Sequence, residues 1–250
     1  FLVFIMKRYT FLKTHVDNFS LKETLTQIKQ AIDEKKQLHH VVVNASKIVD
    51  MQTDLYLRKS VNESDLINAD GQAVVWASKL LGKPLKERVS GIDLMINLVE
   101  LAAENSYKIF FLGAKEVVVK AVVDKYKTQY SEEIIAGYRN GYFRKNEESN
   151  IAREISNSGA NMLFVAISSP IKENFLYNNK SSLKKVNFIM GVGGSFDVVS
   201  GKTKRAPKWM QDCGLEWFFR FIQEPKRMWK RYLYGNTKFI FLVLREFFIK

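Results

Sequence analysis

The stretch "IFFLGAKEVVVKAVVDKY", Ile109 to Tyr126, decides the fold class. Four apolar residues run without alternation into a glycine, and a helical period of valines follows at once. A short, continuous apolar run reads as a strand buried on both faces, and the valine spacing reads as a helix lying against it. The same unit recurs along the chain. Val41–Val43 stops at Asn44, Met162–Ile167 stops at Ser168–Pro170, and Phe188–Met190 stops at Gly191. Strands that each hand over to a helix predict an α/β fold with a mostly parallel sheet flanked by helices. Ligands of such sheets sit beyond the carboxyl ends of the strands. Asn44, Gly113, Ser168–Glu173 and Gly191–Asp197 are therefore expected to converge.

The bulk composition bounds the rest. With 250 residues, 46% of them hydrophobic, the chain can bury one core plus an appendage. Its formal net charge of +13 predicts an anionic partner. Residues 201–250 hold twelve Lys/Arg against four Asp/Glu, so most of the excess lies in the last fifth of the chain. There, aromatic and charged residues interleave, which predicts a basic, aromatic-rich helical appendage over 201–250 on an α/β core over 1–200. Pro225 is expected to open a helix and Gly235–Asn236 to break one. The spacing of Arg220, Arg227 and Arg231 suggests one shared helical face. Trp217, Phe218 and Phe221 suggest another that packs inward, or an interface of a homo-oligomer. A single cysteine, Cys213, excludes an internal disulfide framework, and His15, His39 and His40 have no metal-ligand spacing with it. The apolar start "FLVFIMKR" does not read as a signal peptide, and "FIFLVL" (Phe239–Leu244) is far short of the ~20 residues of a bilayer span.

The candidate site segments each allow two readings. "GVGGSFDVVSGKTKRAP" (Gly191–Pro207) is either a tight turn or a cradle for a diphosphate. In the second case Gly191, Gly193, Gly194 and Ser195 offer backbone N–H groups, with Asp197 and cations such as Arg205 nearby. It is not the dinucleotide fingerprint, because Phe196 stands where the third glycine would be. Asp70, in "NADGQ" before Gly71, is either a helix N-cap or a carboxylate able to take a proton from a hydroxyl. Arg88 follows one helix later and is expected to return to the same face. In "SSPIKEN", Pro170 opens a helix with Lys172 and Glu173 in its first turn. "GYRNGYF" (Gly137–Phe143) reads as a loop with packing aromatics. No Asp-x-Asp occurs, so the usual carboxylate pair for a metal on a nucleotide sugar is missing.

Taken together, "NADGQAVVWASKLLGKPLKERVSGIDLM", "FLGAKEVVVKAVVDKY", "GYRNGYF", "SSPIKE" and the segment from Gly191 to Gly235 resemble the bacterial WecG/TagA/CpsF glycosyltransferases. The resemblance implies a Rossmann-like α/β catalytic core over 1–200 that performs inverting, metal-independent transfer of a sugar from a UDP-sugar to a lipid-diphosphate-linked saccharide. The sugar would resemble N-acetylmannosamine, a uronic acid or a hexose, and the product would belong to a teichoic acid-like polymer or an exopolysaccharide. It also implies no cofactor, and a peripheral position on the anionic inner face of the cell membrane. By motif, Asp70 matches the catalytic base, with Arg88, Lys172 and Glu173 around the reacting groups. Asn44, Gly71, Gly113, Gly191, Gly193, Gly194, Ser195 and Asp197 match substrate-binding positions. Arg205, Arg220, Arg227 and Arg231 match the cations of the appendage. Members commonly read Gly-x-Pro-x-Gln-Glu where this chain has Ser168 to Glu173, so Lys172 stands in place of glutamine. A lysine there is expected to meet a diphosphate or a donor carboxylate.

Two other classes share some of these features. A nicotinamide-dependent oxidoreductase would share the α/β pattern but would need the missing fingerprint. A non-enzymatic nucleic-acid- or membrane-binding protein would rest on net charge alone. No nucleic-acid partner is expected.

Overall fold

A computed structural model of the chain describes residues 7–249, without the side chains of Asp212, Lys226, Arg227, Met228, Lys230, Arg231, Tyr232 and Leu233. Most of the apolar start, residues 1–6, lies outside the described residues. The chain begins with a hairpin, β1 (Arg8–Phe11) and β2 (Thr14–Asp17), followed by α1 (Leu21–Asp33). Next come β3 (Leu38–Val43), α2 (Ala45–Asp50), α3 (Leu55–Asn62), β4 (Leu66–Ala69), α4 (Gln72–Leu80) and α5 (Gly91–Asn105). The second half holds β5 (Ile109–Gly113), α6 (Glu116–Gln129), β6 (Ile135–Arg139), α7 (Glu148–Asn157), β7 (Met162–Ala166), α8 (Ile171–Asn178) and β8 (Phe188–Gly191). It closes with α9 (Ser195–Val199), α10 (Lys208–Asp212), α11 (Glu216–Gln223) and α12 (Pro225–Ile249).

Six strands form one sheet in the order β4-β3-β8-β7-β5-β6, and every neighbouring pair is parallel. All five residues of β5 are buried, as are all five of β7, which is why neither shows an alternating pattern. Ile109 and Phe111 join a cluster with α1, α5, α6 and α9 on one face. Phe110 and Leu112 join a second with α7 and α8 on the other. The helices follow from their own sequences. In α6, Val118, Val119, Val122, Val123 and Tyr126 turn one buried stripe to the sheet. In α1, Ser20 and Glu23 make a reciprocal capping box.

Parallel strands put all their carboxyl ends on one edge. The connection from β5 runs outward to β6, while that from β7 runs the other way to β8, so the chain diverges between these neighbours. Gly113 sits at that point with φ +128, and a Cβ there would lie 2.5 Å from the Ala166 carbonyl oxygen. Only glycine fits.

Several expectations change. α12 runs unbroken through Gly235 and Asn236. Gly235 is buried, and a Cβ on it would face Ser46 Oγ at 3.7 Å, so the small residue brings α12 close to α2 rather than ending a helix. Phe239 and Val243 of α12 reach the core cluster that holds Phe11, Leu12 and Val16 of the hairpin. The Leu12 amide also donates to Glu246 Oε2 at 2.7 Å. Arg220 lies on α11, whereas positions 227 and 231 lie on α12 beyond Glu224, whose ψ of 59 breaks the helical path. The three do not share one helix face, and the Arg227 and Arg231 side chains lie outside the described residues. Trp217 and Phe218 are exposed rather than packed inward, while Phe221 is half-buried. The first part of "GYRNGYF" is the edge strand β6, while Phe143 packs on Phe175.

Candidate active site

Asp70 follows the last residue of β4, and its amide donates to the Val43 carbonyl at 2.8 Å. It does not cap α4: Gly71 occupies that position with no side-chain cap bond. The Asp70 carboxylate instead accepts from the Gly91 N–H at the start of α5, with Oδ2 3.6 Å from where a Cβ of residue 91 would stand. The residue keeps partial solvent access while protein encloses its carboxylate. Burial pushes this carboxyl above the usual range and Glu216 adds to that, while Arg88, Arg220 and the Gly91 N–H pull it back. A carboxylate held this way, and not spent on a cap, can accept a proton.

Around it runs a chain of ion pairs joining the appendage to the core. Arg88 Nη1 lies 3.1 Å from Glu216 Oε2. Arg205 grips Asp93 in a bidentate pair, Nη1 to Oδ1 at 2.7 Å and Nη2 to Oδ2 at 2.8 Å. Arg205 Nε stands 3.6 Å from Glu216 Oε1. Burial works against the Asp93 charge, but Arg205 outweighs it and holds the carboxyl below its ordinary value. Arg205, Glu216, Phe219 and Arg220 line a shallow pocket here. Arg88 thus returns to the face of Asp70 as expected.

A second cluster lies under the ends of β3, β7 and β8. Asn44 caps α2, its Oδ1 accepting from the Lys47 amide at 3.0 Å. The Lys47 ammonium donates to the Val42 carbonyl at 2.6 Å and pairs with Glu173 Oε1 at 2.7 Å. The Lys172 ammonium meets the same oxygen at 2.7 Å, and all three side chains are buried. Burial opposes the Glu173 charge, yet the two ammonium groups prevail and hold the carboxyl well below the usual range. The Lys172 stem crosses Gly191, where a Cβ would fall 2.8 Å from Lys172 Cδ. Glu173→Leu is expected to destabilise the fold by about 3–5 kcal/mol, because it strands buried ammonium groups. Urea unfolding at neutral pH measures the loss. The wild-type advantage is present above the ordinary glutamate pKa of about 4.3 and is lost as pH falls below it.

Gly193 has φ +56, and a Cβ on Gly193 or Gly194 would meet nothing within 4 Å, so the turn presents open backbone. Ser195 is buried and its hydroxyl donates to the Val192 carbonyl at 2.8 Å. Asp197 pairs with Lys202 at 2.7 Å, so that cation is engaged within its own segment. Gly71 touches Asn44, with a Cβ 3.6 Å from Asn44 Cβ, which joins the Asp70 cluster to the Lys47 cluster. Gly113 shares the same sheet edge, two strands from β8. Lys47, Asp93 and Glu216 are the residues that sequence reasoning missed. The available signals were Glu216 four residues before Arg220, and Lys47 as a lone cation in the apolar "ASKIV". Among the described residues, no three His, Cys, Asp or Glu side chains group as metal ligands, and no helix is long and apolar enough to cross a membrane.

Over residues 9–250 the chain matches the family described as "Glycosyl transferase WecG/TagA/CpsF family". The chain belongs to that family of glycosyltransferases. Two similar proteins are named N-acetylglucosaminyldiphosphoundecaprenol N-acetyl-beta-D-mannosaminyltransferase. The one from Bacillus subtilis (strain 168) is 40% identical over 186 residues, 74% of this chain and 71% of that protein. The one from Bacillus spizizenii (strain ATCC 23059 / NRRL B-14472 / W23) is 36% identical over 186 residues, 74% of this chain and 70% of that protein. The Asp70, Gly113, Lys172 and Gly191 neighbourhoods all fall inside the span of the family match.

Proposed function

We propose that this family member moves an N-acetylmannosamine-like sugar from a UDP-sugar to N-acetylglucosamine carried on a lipid diphosphate, with inversion and without a metal. The observation that carries the reading is Asp70: a carboxylate with a raised pKa, free of the cap, facing Arg88 and Arg220 at the strand ends. Asp70 takes the proton of the acceptor hydroxyl as that oxygen attacks the anomeric carbon. The bond from that carbon to the UDP oxygen breaks on the opposite face, and the electron pair leaves with the diphosphate. Arg220, its neighbouring cations and the open backbone at Gly193 and Gly194 neutralise the growing charge. The names of the two relatives support the donor sugar and the acceptor. The absence of Asp-x-Asp supports metal independence.

The test offers a panel of UDP-sugars and a short-chain lipid-diphosphate-GlcNAc in EDTA, with products weighed by mass spectrometry. Gain of one N-acetylhexosamine is the expected result. Transfer only after Mg²⁺ is restored would overturn metal independence, and no UDP binding would overturn the reading. The exposed Trp217, Phe218 and Trp229 beside a basic segment support docking on an anionic membrane surface at the inner face of the cell membrane. Flotation with acidic liposomes checks it. Light scattering separates this from a homo-oligomer covering the same residues.

A further inference from the structure

We infer that Glu216 is a positioning residue that stands in for the substrate diphosphate, occupying Arg88 and Arg205 until the diphosphate displaces it. The inference rests on the proposed use of this site for a UDP-sugar. Three cations and three carboxylates meet here: Arg88, Arg205 and Arg220 with Asp70, Asp93 and Glu216. A diphosphate that is to pair with Arg88 or Arg205 must take the place of a carboxylate already paired there. Asp70 is held by the Gly91 N–H and is the proposed base. Asp93 is fixed in a bidentate pair. Glu216 is bound less tightly, with one contact at 3.1 Å and one at 3.6 Å. The second contact leaves Arg205 Nε buried without a hydrogen-bond partner, a donor that a closer anion would satisfy. Glu216 also lies in the first turn of α11, where the helix dipole favours a carboxylate after it lets the arginines go.

The experiment compares UDP affinity, donor KM and the pH profile of kcat/KM for wild type, Glu216→Gln and Glu216→Asp, with thermal melting as the fold control. Glu216→Gln is expected to bind UDP about three- to tenfold tighter, with donor KM falling more than kcat changes. Glu216→Asp, with a shorter reach, is expected to lie between it and wild type. Asp70 faces Arg88, the Gly91 N–H, Glu216 and Arg220, so loss of the Glu216 charge moves the acid limb of kcat/KM to lower pH. Unchanged or weaker UDP binding by a folded Glu216→Gln protein would overturn the proposal. So would failure of both variants to fold, which would assign Glu216 to stability alone. Absence of UDP binding by wild type would overturn the underlying reading, and is distinguishable because no variant is then needed to see it.

Discussion

Asp70→Asn is expected to lower kcat by about 10²- to 10⁴-fold while leaving UDP affinity within about twofold. The amide keeps the shape and can still accept from the Gly91 N–H, but it cannot take the acceptor proton. Because burial raises the Asp70 pKa, the acid limb of wild-type kcat/KM is expected above the ordinary aspartate value of about 3.9. The sign for stability is the reverse of that for a salt-bridged carboxylate. A carboxyl with a raised folded pKa binds its proton more tightly when folded, so stability falls as pH rises between the unfolded and folded pKa values. At neutral pH the charge is carried against that cost, and Asp70→Asn is expected to melt no lower than wild type. Single-turnover assays and melting curves check both halves. An inactive variant that also unfolds early would point to a structural role.

Arg220→Gln is expected to slow transfer by about 30- to 1000-fold, the equivalent of losing about 2–4 kcal/mol of transition-state stabilisation. Among the described appendage arginines, Arg205 is committed to Asp93, whereas Arg220 is half-buried in the pocket wall and acts on Asp70. Two readouts separate its roles. Loss of leaving-group stabilisation lowers kcat at every pH. Loss of its pull on Asp70 also moves the acid limb upward, because Arg220 lowers that pKa. A Gln variant with full turnover on a soluble acceptor would remove Arg220 from the mechanism.

Much of the architecture was legible in the sequence. Buried parallel strands have no reason to alternate, so "IFFL" and "MLFVA" announced themselves, and the residue after each strand placed the loops on one edge. Asp70 and Arg88 were legible as candidates because one helix separates them, and the loop after that helix returns beside β4, where the Val89 amide donates to the Ala69 carbonyl. Legibility failed where a residue's meaning depends on what lies across from it. Gly235 looked like a helix break because glycine is a weak helix former, but its role is set by Ser46 on another helix. Trp217 and Phe218 looked like core because helical spacing gives a stripe without saying whether anything covers it.

The sequence by itself determined the α/β class, the edge on which the loops gather, the basic C-terminal segment and the missing metal motif. Each is a local property: a period, a composition or a spacing. Tertiary structure alone decided that Arg88 meets Glu216 across 128 residues, that Lys47 and Lys172 share one buried carboxylate, and that Asp70 faces the start of α5 instead of capping α4. The physical reason is that an ion pair depends on strand order and helix placement, and a hydrophobic period carries no information about either.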